Sequence, residues 1–145
     1  MAFLLLVTAL LIQQPAPPVE MNDLEKQFQA SLMNSTLTGF FTVGDSPEAR
    51  PDKYTVEGLT KIGTDLWKFD ARIQYGGRDY RASVSVPVKW AGETPVLSMT
   101  QYAIPGQGVF SARILIHNGM YSGTWGSQAQ GGKMFGMIVK NTPAP

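Results

Sequence analysis

The chain has 145 residues, 16% of them charged, with a net charge of +1, 15 glycines, 10 prolines and no cysteine. That length holds one domain with one modest core, and the scarcity of charge with plentiful turn formers suits an all-β protein. Without cysteine there are no disulfides, thiolate nucleophiles or cysteine-bound zinc, and without a Lys/Arg cluster there is no electrostatic footprint for nucleic acid.

Residues 3–12 are almost entirely apolar and match the length of a secretory h-region, short of the ~20 residues that span a bilayer. No Lys or Arg precedes them, and Pro15, Pro17 and Pro18 crowd the place where a small-x-small cleavage site would stand. The expectation is a signal-like segment and linker over 1–18 and export to a periplasmic or extracellular setting. The alternative is membrane association through an uncleaved N-terminus. One domain is expected over 19–141, with a disordered tail over 142–145.

Asn22 or Asp23 offers an N-cap, and Leu24, Phe28 and Leu32 recur at four-residue spacing. This predicts a short amphipathic helix over 23–33 that covers the core, with Glu25, Lys26 and Gln29 turned to water.

Eight strands follow, over 37–43, 53–62, 66–75, 80–90, 95–102, 108–116, 120–125 and 132–140. The fourth is the clearest: Tyr80, Ala82, Val84, Val86, Val88 and Trp90 alternate with Arg81, Ser83, Ser85, Pro87 and Lys89. Strand side chains point to opposite faces at every second residue, so this segment has one oily and one wetted face. Pro87 lacks an amide hydrogen and should mark a bulge or an unpartnered stretch. The same alternation places Tyr54, Val56 and Ile62 inward on the second strand and Trp67, Phe69, Ala71, Ile73 and Tyr75 inward on the third. Phe110, Ala112, Ile114 and Ile116 share a face on the sixth. Gly76–Gly77 and Asn118–Gly119 are hairpin turns. A meander of eight such strands closes as a small antiparallel barrel, with a β-sandwich as the alternative architecture.

In an up-and-down barrel alternate links emerge at the same end. Links over 44–52, 76–79, 103–107 and 126–131 decorate one end, while 63–65, 91–94 and 118–119 leave the other tight. Tyr54, Trp67, Phe69, Tyr75, Tyr80, Trp90, Phe110 and Tyr121 are expected to face the interior, where aromatics either fill the barrel or wall a pocket for a small apolar or amphipathic molecule. If the core is solid, the chain is instead a structural or interaction module of the cell envelope, with loops or an apolar face bearing Phe40, Leu97 or Met99 as its surface.

The helix, the eight strands and the Gly-x-Trp element in Ser122–Gly123–Thr124–Trp125 resemble the calycin barrels, the lipocalins and avidins. In those families the element lies on the first strand; here it lies on the seventh. The chain also resembles small exported bacterial proteins. The resemblance implies a barrel architecture, and no binding residue is carried over from it.

Catalytic chemistry finds little support. His117 is the only histidine, too few nitrogen ligands for an ordinary transition-metal site. Along an extended strand Ser111 stands about 20 Å from it. Asp70 and Glu57, with Arg72, Arg81 and Lys68, read as a solvated cross-strand charge ladder. The glycines at 106, 108, 131, 132 and 136 lack the Lys–Ser/Thr and helix of a phosphate loop. The expectation is a non-enzymatic protein with no cofactor, no metal and no nucleic-acid partner.

Overall fold

Period-two alternation organises everything after the helix. The computed structural model describes residues 14–143; the apolar segment 3–12 and the last two residues of the expected tail lie outside that range. Helix α1 (Asp23–Leu32) precedes β1 (Ser35–Phe41), β2 (Arg50–Lys61), β3 (Leu66–Tyr75), β4 (Arg78–Ala91), β5 (Thr94–Ile104), β6 (Gly108–His117), β7 (Met120–Ser127) and β8 (Gly131–Lys140). Each strand pairs antiparallel with its sequence neighbours, and β8 pairs with β1 to close an eight-stranded barrel. The all-β meander and its closure follow the sequence reading; the sandwich alternative does not occur.

The alternating faces fall where the sequence places them on β3, β4 and β6. Trp67, Ile73, Val84, Val86, Val88, Ala112 and Ile116 are buried inside the barrel. The β6–β7 hairpin turns on Asn118–Gly119, both at positive φ (50° and 68°), as a two-residue primed turn requires.

Strand β2 departs from the reading in two ways. It starts at Arg50, so Asp52 belongs to the strand and not to the preceding loop. Its register against β3 also shifts between Val56 and Gly58, which turns Leu59 inward and leaves Ile62 43% exposed rather than interior. One extra residue at a bulge reverses the facing of all that follows.

The helix closes one end of the barrel. Asn22 and Glu25 form a reciprocal capping box, with Asn22 Oδ1 accepting from the Glu25 amide at 2.9 Å and Glu25 Oε2 from the Asn22 amide at 3.0 Å. Phe28 and Leu32 are buried, and Phe28 meets Trp67, Trp90 and Phe69 edge-on at centroid distances of 5.1, 6.1 and 6.5 Å. Gln29 Nε2 donates to the Leu59 carbonyl, and Lys140 Nζ donates to the Ala30 and Met33 carbonyls at the helix C-terminus. Glu25 does not face water. It is 7% exposed and pairs with Lys61 at 2.9 Å, because α1 lies across the end of β2.

That pair fixes the plug to the wall, and a buried ion left without its partner is strongly destabilising. Lys61→Met should lower unfolding free energy by about 3–5 kcal/mol in urea denaturation. Adding Glu25→Gln should recover most of that loss, since the stranded charge is then gone; no recovery would mean that the pair is not what holds the helix.

Candidate functional site

Above the plug the barrel is hollow. A cavity of about 240 Å³ lies along its axis, walled by residues from every strand and by Leu32 of α1. Six of the eight aromatics expected inside line it: Tyr54, Phe69, Tyr75, Tyr80, Phe110 and Tyr121. Trp67 and Trp90 do not. Trp67 is fully buried against Phe28, and Trp90 packs on the same ring, so both are consumed in seating the helix.

The wall also holds residues the aromatic pattern does not single out, among them Phe41, Trp125, Met134, Leu97 and Met99. Parity alone could have found Trp125, which shares the inner face of β7 with Tyr121. Leu97 and Met99 are thus interior rather than part of an exposed patch, while Phe40 is 45% exposed. Ala71 and Ala112 line the cavity with small side chains that leave its middle unfilled.

The rim lies at the end of the β1–β2, β3–β4, β5–β6 and β7–β8 links. Half-buried Phe41 meets Tyr75 and Trp125 edge-on at 6.0 and 5.9 Å, and Tyr75 meets Tyr80 at 6.4 Å. Trp125 Nε1 donates to the Thr42 carbonyl at 3.0 Å, which ties the rim to the β1–β2 loop. The Arg78 guanidinium stands 5.9 Å from the centre of the Tyr75 ring.

One polar group is built into this greasy wall. Tyr121, Gly136, Gly39 and Asp52 occupy one cross-strand row over β7, β8, β1 and β2. The Tyr121 side chain lies along that row, over both glycines, and its hydroxyl donates to Asp52 Oδ1 at 2.8 Å. Tyr54 donates to Asp52 Oδ2 at 3.1 Å. A Cβ on Gly39 would run into the Phe135 carbonyl oxygen and stand 2.6 Å from Tyr121 Oη, and one on Gly136 would run into the Thr38 carbonyl oxygen and stand 2.7 Å from Tyr121 Cε1. Asp52 is 2% exposed, and burial raises its pKa against the opposing pull of the two phenols. Burial and then the neighbouring carboxylate push the Tyr54 hydroxyl far above its ordinary range; burial and the hydrogen bond to Asp52 do the same for Tyr121.

The wall has one weak seam. β4 pairs with β3 from Arg78 to Pro87 but with β5 only from Val88 to Ala91. The Ser85 amide points across the seam and donates to the Tyr102 hydroxyl at 3.1 Å. Amides two residues apart point the same way, so the donor missing at Pro87 is one that would have faced β5. On the other side β5 carries an irregularity between Met99 and Tyr102, with Gln101 at φ 47°. Arg78 Nη1 donates to Gln107 Oε1 at 2.8 Å where the seam reaches the rim. Bonds involving side chains, rather than a backbone ladder, hold this part of the barrel shut, and Pro87 sits where its chemistry says it should.

Outside, the charged residues make the expected ladder: Arg81–Glu57 at 3.1 Å, Arg72–Asp79 at 2.6 Å and Lys68–Asp70 at 3.6 Å. His117 is exposed at the end of β6, away from the cavity wall.

The chain matches no protein-family model, no curated protein and no solved structure.

Two outcomes check the polar row. Gly39→Ala should destabilise the fold by about 1–3 kcal/mol through overpacking, read by thermal or urea unfolding, and should disturb the tyrosine environment in near-ultraviolet circular dichroism. The raised phenol pKa values predict stability that is fully present below pH 10 and lost as the solution rises beyond it, because ionising Tyr54 or Tyr121 is easier in the unfolded chain. Phenolate absorbance near 295 nm should therefore show one fraction titrating early and another appearing only with alkaline unfolding. A single early phase for every tyrosine would contradict the buried row.

Proposed function

We propose that this protein is a non-enzymatic barrel that binds one small apolar or amphipathic molecule in its interior, entering from the end opposite α1. The carrying observation is the cavity of about 240 Å³ with a wall of aliphatic and aromatic side chains. A dry engineered cavity of about 150 Å³ takes benzene, so this volume suits a molecule somewhat larger, on the order of ten to fifteen non-hydrogen atoms. Drug-sized ligands fill larger pockets. The Tyr75 and Tyr80 hydroxyls at the rim give an amphipathic ligand's polar end a place to stand, while its apolar body faces Val84, Leu97 and Ile114.

The closed eight-stranded barrel is compatible with kinship to the calycins, and Gly123–Thr124–Trp125 supports that reading. The apolar run at 3–12 supports an exported protein, in the periplasm or outside the cell.

Fluorescence titration with a naphthalene-class probe tests the binding reading. The wild-type chain should bind with saturable enhancement. Ala71→Phe or Ala112→Phe, which fill the space, should weaken binding at least tenfold while the protein stays folded by circular dichroism. A wild-type chain that binds no apolar probe, or filled variants that bind as well as wild type, would refute an interior site.

A further inference from the structure

Strand β8 is apolar on both faces. Over Met134–Val139 it reads Met-Phe-Gly-Met-Ile-Val, a run usual for a strand covered on both sides. The barrel covers only one. Met134 and Gly136 face inward, while Phe135, Met137 and Val139 point out and are 46, 54 and 57% exposed. Phe40 lies beside Phe135 at a ring-centroid distance of 6.1 Å, and Met120 is the cross-strand partner of Met137. Leu115 of β6 stands across Ser122 from Phe135. These six side chains make one patch on the order of several hundred Å², at or above what a monomer ordinarily leaves bare.

Charge identifies what covers it. All 11 carboxylate side chains of the sequence lie at or before Glu93, so β5 to β8 carry none. The cations there are Lys133, two residues before Phe135; Arg113, two before Leu115; and Lys140, next to Val139. Arg113 donates to the Met99 and Ala112 carbonyls and to Thr100, and Lys140 to helix carbonyls, so neither charge is cancelled by a carboxylate. The five ion pairs among the described residues all join α1, β2, β3, β4 and the β2–β3 turn. Asp45 and Glu48 stand on the β1–β2 link at the rim, and Glu93 stands on the β4–β5 turn at the plugged end, where it lines a surface groove with Lys140. One side of the barrel is thus charge-balanced and wetted; the other is oily, and the only charged side chains on its own strands are cations.

We propose that the outer face of β7, β8 and β1 docks on an anionic lipid surface, the barrel lying on its side with Phe135, Met137 and Val139 in the headgroup layer. Apolar insertion and attraction between Lys/Arg and anionic headgroups act together at such an interface. A second copy of the chain is the poorer occupant, because two such faces would bring cations together with no carboxylate to meet them. The inference is independent of the interior ligand, since the patch residues point away from the cavity.

The test uses the full cysteine-free chain with one introduced cysteine carrying an environment-sensitive fluorophore, at Met137→Cys or, on the wetted side, at Thr60→Cys. With phosphatidylglycerol-containing vesicles, the label at 137 should shift to the blue and the label at 60 should not. Unlabelled wild type should bind these vesicles at least tenfold more tightly than pure phosphatidylcholine vesicles, and less tightly as salt rises. Phe135→Ser with Met137→Ser should cost at least tenfold in vesicle affinity while leaving naphthalene-probe binding as in wild type. Residues 3–12 are present in every variant, so unchanged affinity in the double variant would assign any vesicle binding elsewhere and overturn the proposal. Equal shifts at both labels, no vesicle binding, or a wild-type dimer by sedimentation that the double variant abolishes would overturn it too.

Discussion

The hydrogen bond from Tyr121 to Asp52 crosses the place where the barrel closes. β8 and β1 are the last and first strands, and their meeting converts an open sheet with two bare edges into a closed wall interrupted at the β4–β5 seam. At that junction the inner face is emptied: Gly136 opposes Gly39, with no side chain on either. The Tyr121 ring occupies the vacated strip and anchors on a carboxylate three strands from its own, on β2. A buried carboxylate would ordinarily be a liability; here two phenol donors satisfy it, and no buried side-chain polar atom among the described residues lacks a partner. Closure, the paired glycines and the buried acid are one arrangement, and each member explains the others.

The hollow interior follows from how the large side chains are shared out. Phe28, Trp67 and Trp90 pack into the plugged end, leaving fewer bulky groups for the middle of the barrel. There Ala71 and Ala112 stand where larger residues would fill the space, and the Tyr121 ring lies flat along the wall instead of projecting. Eight strands enclose an interior that side chains can just fill or that can hold one small ligand. Here the balance tips toward a void, and the half-buried aromatics at the far end form its rim.

The outside is divided as sharply as the inside. Ion pairs cross from β2 to β4 over the wetted half, each worth little by itself at the surface but together keeping that face soluble. The β7–β8–β1 face has no such ladder. Since the closed barrel leaves no strand edge along it, anything that meets this face does so through side chains alone.

Alternation read along single strands gave the strand count, the inward residues of β3, β4 and β6, and the hairpin at Asn118–Gly119, because those features depend only on neighbours in the chain. Spacing of Leu24, Phe28 and Leu32 gave the helix for the same reason, and Pro87 announced an unpaired stretch through its missing donor. The reading failed where a residue's surroundings come from distant segments. Ile62 was misplaced by a bulge set by pairing with β3 and Glu25 by a lysine 36 residues away; Trp67 and Trp90 do pack into the core, but that they seat the helix rather than wall the void depends on α1. Asp52 was taken for a loop residue because Tyr54, two residues along, does not by itself mark it; the partner that does, Tyr121, lies across the sheet and 69 residues further along. Local sequence thus determined which segments are strands and which of their faces is oily. Tertiary structure alone decided that the barrel keeps a void, where its polar staple lies and which outer face is left bare, since those depend on rows of side chains that cross strands far apart in the chain.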